Sequence, residues 1–301
     1  MTKGLSVVFI GCVQSSAVAL DALISDPLVD LRAVVTLKES AFNSDFVDLV
    51  PYIHNLTGGL LPVIHAEDYP GDDLAQVIER HCAELVVAVG WSRLLPASVL
   101  NVPRMGIVGY HPAALPRNRG RHPVIWAIAL GLRSTASTFF LMDEGADSGP
   151  ILSQKPVEIS ERETAGKLYE KQLGLIPEQI SDIISGLSAG SLQPRPQDHA
   201  QATYWRKRSR ADGLIDWRMS SKRIDRLIRA LAPPYPCAEI AVAEKRFQVL
   251  RARPCDVAAS DIEPGKVLEV QDAQILIKTG DNGLIIEETN PPLDVTQGSY
   301  L

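Results

Sequence analysis

Residues 84–110, ELVVAVGWSRLLPASVLNVPRMGIVGY, contain the two apolar runs that decide the fold of this chain. The runs are ELVVAV at 84–89 and GIVGY at 106–110, and both are short and almost free of polar side chains. Similar runs precede them at 5–10, 31–37 and 61–65. Near-continuous apolar strands separated by segments with helical spacing are typical of a parallel sheet covered on both faces. The sequence therefore predicts a Rossmann-like α/β domain, with its binding crevice at the carboxyl ends of the strands.

The turn after the first predicted strand excludes two common uses of such a domain. It reads Gly11-Cys12-Val13-Gln14-Ser15-Ser16, which lacks the GxGxxG pattern that binds a dinucleotide. A GxxxxGK[ST] phosphate-binding loop is also missing from the sequence. A dehydrogenase or a kinase is therefore a poor interpretation.

The character of the sequence changes near its last third. Residues 1–190 continue the α/β pattern, whereas residues 188–201 are poor in apolar side chains and rich in Ser, Pro and Gln. This composition predicts a linker over 191–204. In residues 205–301 a helix is followed by short alternating runs with turns between them. That spacing predicts a smaller, barrel-like β domain.

Composition places the chain among ordinary globular proteins. It has 301 residues, of which 46% are hydrophobic, and a formal net charge of −6. This length suffices for two domains. The four cysteines stand far apart without a CxxC pair, which argues against a disulfide framework or a zinc site and for the reduced thiols of a cytoplasmic protein. We expect neither a signal peptide nor a membrane-spanning segment.

A basic segment, residues 205–230, departs from this acidic average. It carries nine Lys or Arg against three Asp. Three interpretations are open: a solvated helix face, a site for the phosphates of a small substrate, or a tRNA-binding surface. Residues 191–301 together hold 16 Lys and Arg against 15 Asp and Glu. Because nucleic-acid-binding domains are usually basic overall, tRNA is the less favoured partner.

Residues 109–149 combine the residue types of an acid–base site. His111 follows a predicted strand, the basic turn RGR at 119–121 precedes a predicted helix, and the acidic loop DEGADSG at 143–149 follows another predicted strand. A carboxylate beside an imidazole fixes its tautomer and stabilises its protonated form. A carboxylate of the acidic loop would act in this way on His111.

These motifs resemble those of the folate-dependent formyltransferases, which include methionyl-tRNA formyltransferase and the sugar-nucleotide N-formyltransferases. The family pattern is Asn-x-His-x-Ser-Leu-Leu-Pro, then Arg-Gly-x-x-Pro, then Asp-x-Gly-x-Asp-x-Gly. This chain has GYHPAALP at 109–116, RGRHP at 119–123 and DEGADSG at 143–149. Beyond the linker, DGLIDW at 212–217 and PYPCA at 234–238 look like the start of the family's C-terminal OB-type barrel. The Arg-Gly-Arg turn and the Pro-Tyr-Pro segment are most similar to the formyltransferase that acts on UDP-4-amino-arabinose.

The resemblance implies that N10-formyltetrahydrofolate donates its formyl group to a primary amine through a tetrahedral oxyanion. His111 would be the acid–base residue, and Asp147 would hold and tune it. The expected folate contacts come from the loop after the fourth strand, the basic turn and the acidic loop: Arg93, Leu94, Leu95, Arg121, Asp143, Glu144, Gly145, Ala146 and Asp147.

The expected acceptor is a small-molecule amine, on an amino-sugar or a nucleotide-linked amino-sugar. The alternatives are methionyl-tRNA, a secondary-metabolite amine and, from a neighbouring class of enzyme, hydrolysis of formyl-folate. No metal is expected. The C-terminal domain would serve substrate choice or oligomerisation, such as formation of a homodimer.

One position departs from the family pattern. Gly109 stands where the family has an asparagine whose side chain donates to the oxyanion. Loss of one such donor lowers the rate by roughly 10²- to 10³-fold. Three explanations are open: His122 acts as a catalytic donor instead, water fills the space that Gly109 leaves, or the chain is a weak or inactive folate-binding pseudoenzyme.

Overall fold

The computed structural model describes residues 4–40, 45–258, 261–272 and 274–301. The chain divides into two compact units. The first unit comprises Met1–Pro123, Thr135–Val157 and Glu170–Trp205. The second unit comprises Val124–Ser134, Glu158–Tyr169 and Arg206–Leu301. Residues 191–204, predicted as a linker, therefore belong to the first unit, and two segments of the predicted α/β domain belong to the second.

A seven-stranded sheet forms the centre of the first unit. The strands of this unit are β1 (Leu5–Ile10), β2 (Val29–Thr36), β3 (Val63–His65), β4 (Leu85–Ala88), β5 (Ile107–His111), β6 (Arg119–Gly120), β7 (Ser134–Leu141), β8 (Ile151–Glu158) and β9 (Tyr204–Trp205). All except β6 and β9 form one sheet in the order β3-β2-β1-β4-β5-β7-β8. Neighbouring strands from β3 to β5 pair in parallel, and β7 runs antiparallel to β5. The predicted Rossmann-like sheet is confirmed.

The strand order reverses between β1 and β4, which is where doubly wound sheets leave a crevice at the carboxyl ends of their strands. Every residue of β1 and β4 is buried, as expected for strands covered on both faces. The five strands predicted from apolar runs lie within two residues of their predicted bounds. The crevice therefore opens beside the end of β5, which carries His111.

The helices of the chain are α1 (Gln14–Ser25), α2 (Leu49–Thr57), α3 (Leu74–Arg80), α4 (Ala97–Leu100), α5 (Pro123–Ala129), α6 (Ala165–Leu173), α7 (Ile176–Ser188) and α8 (Ser221–Ala230). Helices α6 and α7 follow each other closely, and α7 begins with a proline in its first turn, where the missing N–H costs no hydrogen bond. Among the described residues, no helix has the length and apolar character needed to cross a bilayer.

The turn between β1 and α1 explains why no phosphate-binding glycine pattern stands there. The backbone N–H groups of Cys12 and Val13 both donate to Ser16 Oγ at 3.0 Å. Ser16 Oγ in turn donates to the carbonyl of Val89 at 2.6 Å. A Cβ atom on Gly11 would lie 2.5 Å from that carbonyl oxygen, so glycine is required by close packing. These amides are thus occupied by the protein itself.

The second unit contains an antiparallel sheet. Its strands are β10 (Ala238–Val242), β11 (Lys245–Cys255), β12 (Val267–Gln271), β13 (Gln274–Lys278) and β14 (Gly283–Asn290), in the order β10-β11-β14-β13-β12. Helix α8 buries Ile224, Leu227 and Ile228 and packs on β11. The Ser220 side chain caps this helix by accepting a hydrogen bond from the Arg223 N–H. The predicted second, smaller β domain is confirmed.

Candidate active site

The end of β5 places His111 inside the first unit, where it is only 4% exposed. Its Nε2 atom lies 2.7 Å from the carbonyl oxygen of Asn118. Because a carbonyl only accepts hydrogen bonds, this contact assigns the proton to Nε2. The other ring nitrogen, Nδ1, lies 3.7 Å from Asp147 Oδ2. A proton that arrives at Nδ1 therefore meets a carboxylate acceptor, as acid–base chemistry requires.

The acidic loop 143–149 holds Asp147 in an unusual backbone conformation. Its φ angle is 54°, in the left-handed region, which costs an L-residue about 1–2 kcal/mol. One contact that helps to hold this conformation is made by Oδ2, which accepts a hydrogen bond of 2.8 Å from the Gly120 N–H. The loop also returns tightly onto β7, since a Cβ on Gly149 would lie 1.8 Å from the Leu141 carbonyl oxygen. The sequence-predicted pair, His111 and Asp147, is thus brought together.

The rim of this loop is accessible. Asp143 closes it by accepting hydrogen bonds from the Gly145 N–H and the Ser148 hydroxyl. The exposed residues are Asp143, Glu144, Gly145 and Ala146. A Cβ on Gly145 would lie 2.1 Å from Ser148 Oγ, so a larger residue at this position would displace the Ser148 hydroxyl. The rim can offer backbone groups to a ligand.

The loop after β4 contacts the basic turn directly. Arg121 Nη1 donates to the carbonyl oxygen of Ser92 at 2.6 Å. The Arg93 guanidinium lies 5.6 Å from the centre of the Trp91 ring. The structure therefore brings the predicted folate-contacting residues of two separate segments together.

Leu94 and Leu95, two neighbouring residues of the same loop, differ in accessibility. Leu94 is 73% exposed, whereas Leu95 is 8% exposed and belongs to the hydrophobic core of the sheet. Only Leu94 can present an apolar side chain to a ligand. Leu95 can contribute no more than its backbone.

His122 lies on the turn that holds Asp147, two residues after Gly120. It is half-buried, and its φ angle is 55°. A left-handed residue before a proline is strained, and such strain collects at functional sites. The role of His122 as an oxyanion donor stays a prediction.

The space beside Gly109 is occupied by apolar side chains. A Cβ built on Gly109 would lie 2.8 Å from Met142 Cγ and 3.0 Å from Phe140 Cζ. Phe140 is the cross-strand partner of Gly109 on β7 and is buried. Met142 and Phe140 thus fill the space next to Gly109, which counts against the explanation in which water occupies it.

We expect Gly109→Asn to destabilise the protein by about 1–3 kcal/mol, because the new side chain overpacks a filled space. For the same reason kcat should not rise. Denaturant unfolding and steady-state kinetics measure both effects. The double variant Gly109→Asn/Met142→Ala supplies room and should recover part of the lost stability. Wild-type stability together with a higher kcat for Gly109→Asn alone would contradict this expectation.

Sequence reasoning missed four supports of the site. Two are backbone groups: the Asn118 carbonyl, which accepts from His111, and the Gly120 N–H, which donates to Asp147. Two are buried side chains, Arg119 and Gln197, which are hydrogen-bonded to each other. The Arg-Gly motif was a signal for Arg119, but Gln197 lies in the segment predicted as a linker.

Four of the nine cations of the basic segment form ion pairs with acids. Ion pairs join Arg206 to Asp212, Arg210 to Glu239, Arg218 to Asp216 and Arg229 to Asp225. Hydrogen bonds from Arg206 hold the pKa of the Asp212 carboxyl well below its usual range. Arg218 likewise lowers the pKa of Asp216 to about 2. Much of the local positive charge is therefore neutralised within this unit.

Comparison with known proteins agrees with this arrangement. The sequence profile of the formyl transferase family matches residues 34–183, and that of the formyl transferase C-terminal domain matches residues 207–296. The methionyl-tRNA formyltransferase of Desulfotalea psychrophila is 31% identical over 290 residues, which cover 96% of this chain and 89% of that protein.

Two solved structures share the fold. The N-formyltransferase from Helicobacter canadensis, in complex with folinic acid and dTDP-3-aminofucose, has a TM-score of 0.68 at 16% identity, covering 95% of this chain and 99% of that chain. HypX from Aquifex aeolicus, in complex with tetrahydrofolic acid, has a TM-score of 0.62 at 19% identity. The match covers 94% of this chain but only 43% of the HypX chain.

The family profiles and the 31% identical relative show that the chain is a group-transfer enzyme. The chain belongs to the formyl transferase family and is a formyltransferase.

Proposed function

We propose that this chain transfers the formyl group of N10-formyltetrahydrofolate to the amine of an amino-sugar or nucleotide-linked amino-sugar. The ion pairing of the basic segment carries the choice of a small acceptor. Arg206, Arg210, Arg218 and Arg229 each face an acid. Binding to a long polyanion depends on cations that can replace its counterions, and paired arginines do this poorly. The net charge of −6 supports the same choice.

The residues near His111 suit a formyl-folate. Such a molecule has a flat, hydrogen-bonding ring at one end and carboxylates at the other. The exposed backbone of the acidic loop can pair with the ring, and the side chain of Leu94 can cover an apolar face. Arg93 and Arg121 can attract the carboxylates, because guanidinium groups pair well with them. These are the residues we propose for the co-substrate.

The chemistry of the chain's own residues follows from the geometry at His111. When bound, the donor supplies an electrophilic formyl carbonyl to the attacking amine. With its Nε2 proton held by Asn118, His111 can accept the amine proton only at Nδ1. Asp147 Oδ2, at 3.7 Å, stabilises the resulting positive charge. Burial of the ring keeps bulk water away from this proton, which can return to the departing nitrogen. His122 is proposed as an additional donor to the developing oxyanion.

The test is an acceptor panel. The purified chain is incubated with N10-formyltetrahydrofolate and either nucleotide-linked amino-sugars, free amino acids, methionyl-tRNA or no acceptor, and release of tetrahydrofolate is followed. We expect release only with amino-sugars. Release only with methionyl-tRNA or with amino acids would contradict the acceptor, release without acceptor would indicate a hydrolase, and binding without release would contradict transfer altogether.

Methionyl-tRNA is the second candidate acceptor. Its support is the likeness to curated methionyl-tRNA formyltransferases, at 29–31% identity over nearly the whole chain. The two acceptors differ in salt dependence, because binding of a polyanion weakens steeply as salt increases. A rate with methionyl-tRNA that falls steeply between low and physiological salt would favour this candidate.

Arg121→Ala is expected to raise the KM for the formyl donor about tenfold, since a hydrogen bond to a charged group contributes about 1.5–3 kcal/mol. The kcat should change little, because Arg121 lies outside the His111–Asp147 pair. Arg104→Ala is the control. Arg104 pairs with Glu84 near the amino ends of β4 and β5, away from the crevice. An equal rise in KM for both variants would remove Arg121 from the donor site.

A further inference from the structure

The segment 195–205 is built into the first unit on both sides of the Asp147 loop. Arg195 exchanges two backbone hydrogen bonds of 2.8 Å with Ile151, just after that loop. Strand β9 pairs in parallel with β6, which contains Gly120. The residues lie between the two family-profile matches, which end at 183 and resume at 207. Their role is therefore not implied by either profile.

Gln197 links this segment to the backbone of the Asp147 loop. The side chain is buried, with 6% of the residue exposed. Its Nε2 donates to the carbonyl of Asp147 at 2.9 Å and to that of Gly149 at 2.7 Å. Its Oε1 accepts from Arg119, at 2.7 Å from Nη2 and 3.2 Å from Nε. One amide thus fixes two carbonyls of a loop in which Asp147 has a left-handed backbone.

Arg119 is the other half of the arrangement, and it is 1% exposed. Besides Gln197, its guanidinium donates to Tyr204 Oη at 2.9 Å and lies 3.3 Å from His199 Nδ1. Gln197 and Tyr204 are neutral acceptors, and among the described residues no carboxylate pairs with this guanidinium. A guanidinium without a carboxylate partner is costly to bury, because desolvation of an ion costs several kcal/mol. The same residue precedes Gly120, whose N–H binds the Asp147 carboxylate.

We propose that Gln197 and Arg119 are positioning residues that hold Asp147 against His111. This inference rests on the proposed roles of His111 and Asp147. The Gln197 side chain holds the Asp147 loop by hydrogen bonds to two backbone carbonyls of that loop. Arg119 orients both Gln197 and the adjoining Gly120 amide. The left-handed conformation of Asp147 needs such support, since it is intrinsically unfavourable. Small displacements of a catalytic group lower rates strongly, so the clamp acts on kcat.

The chain offers a matched control in Gln179. It is also a fully buried glutamine of the first unit, and it donates to the Ser137 carbonyl and to Ser153 Oγ while accepting from Ser137 Oγ. Replacing either glutamine by leucine removes a similar set of hydrogen bonds. Both variants should lose stability, Gln197→Leu the more because it also removes an acceptor from the buried Arg119 guanidinium, but only Gln197 touches the Asp147 loop.

We expect Gln197→Leu to lower kcat about 10- to 100-fold, with KM for the donor changed less than about twofold, because the displaced group acts on the chemical step. Gln179→Leu should keep kcat close to wild type although its Tm also falls. Equal kcat values for the two variants would overturn the inference.

Gln197→Glu separates positioning from folding. It retains the acceptor for Arg119 as an ion pair, but it loses both donors to the loop carbonyls. The Tm should therefore fall less than in Gln197→Leu, because the ion pair with Arg119 offsets part of the loss, while kcat still falls. The NMR signals of the His111 ring can be recorded without an amine substrate. They should shift in Gln197→Glu and stay unchanged in Gln179→Leu. Wild-type kcat and unchanged ring signals in Gln197→Glu would overturn the inference even if Gln197→Leu does not fold.

The same series separates this inference from the proposed function. If His111→Asn and Asp147→Asn both retain wild-type kcat, the proposed catalytic roles fail and the inference fails with them. If these two variants lose activity but Gln197→Leu behaves like Gln179→Leu, only the positioning role fails. The ring signals of His111 report on the clamp whichever amine proves to be the acceptor.

Discussion

Replacing His111 by asparagine is expected to lower the kcat of formyl transfer by about 10²- to 10⁴-fold, the range that general acid–base groups contribute. Asparagine keeps a polar group of similar size but cannot accept and return a proton at neutral pH. His111 is buried and hydrogen-bonded to the Asn118 carbonyl, so its replacement has to fill a similar space. Asparagine preserves more of the side-chain volume than alanine does. Steady-state kinetics with the acceptor found in the panel measure the effect.

His54→Asn is the matched control for this prediction. His54 is exposed near the end of α2, outside every segment assigned to the site. The kcat of the His54→Asn variant should stay within about twofold of wild type, because this surface substitution lies away from the site. A loss of less than tenfold for His111→Asn, with Tm unchanged, would contradict the acid–base role. Binding of the donor, measured by calorimetry, should survive the substitution.

Asp147→Asn is expected to lower kcat by about 10²-fold or more, although the variant should fold normally, because stabilisation of a protonated base belongs to the proton-transfer step. The amide oxygen of asparagine can still accept the hydrogen bond from the Gly120 N–H. What disappears is the negative charge that faces His111 Nδ1. Asparagine also tolerates the left-handed conformation well, so backbone strain should not confuse the result.

Asp26→Asn is the control for the aspartate substitution. Asp26 also accepts one backbone hydrogen bond, from the Leu28 N–H at 2.9 Å, but it lies at the end of α1. The Asp26→Asn substitution should leave kcat unchanged. The double variant His111→Asn/Asp147→Asn should be little slower than His111→Asn alone, because residues that act as a unit are not additive. Multiplicative losses in the double variant would contradict a coupled pair.

Sequence reasoning reached the fold and the central residues of the site because both depend on local patterns. Apolar runs such as 5–10 and 84–89 are typical of strands covered on two faces, and their spacing predicts the sheet. In a parallel sheet the strand ends carry the functional groups. His111 could therefore be predicted from its position at the end of a strand, whereas Asp147 was chosen among the acids of its loop through the resemblance to the family.

The neighbourhood of Gly109 shows where this reasoning stops. From the sequence alone, a missing asparagine side chain leaves a space of unknown content. The content depends on Phe140 and Met142, which reach Gly109 through the pairing of β5 with β7. Cross-strand packing of this kind follows from register, and register is decided by the packed sheet as a whole.

The basic segment and the supposed linker show the same limit at longer range. Arg210 finds Glu239 across 29 residues, and Gln197 finds Arg119 across 78. Composition alone determined that the first segment is basic, because it holds nine cations. It also determined that the second segment, rich in Ser, Pro and Gln, lacks an apolar core of its own. Only the tertiary structure decided which charges are paired and which loop Gln197 clamps, because hydrogen bonds between distant residues form only when packing brings their atoms within about 3 Å.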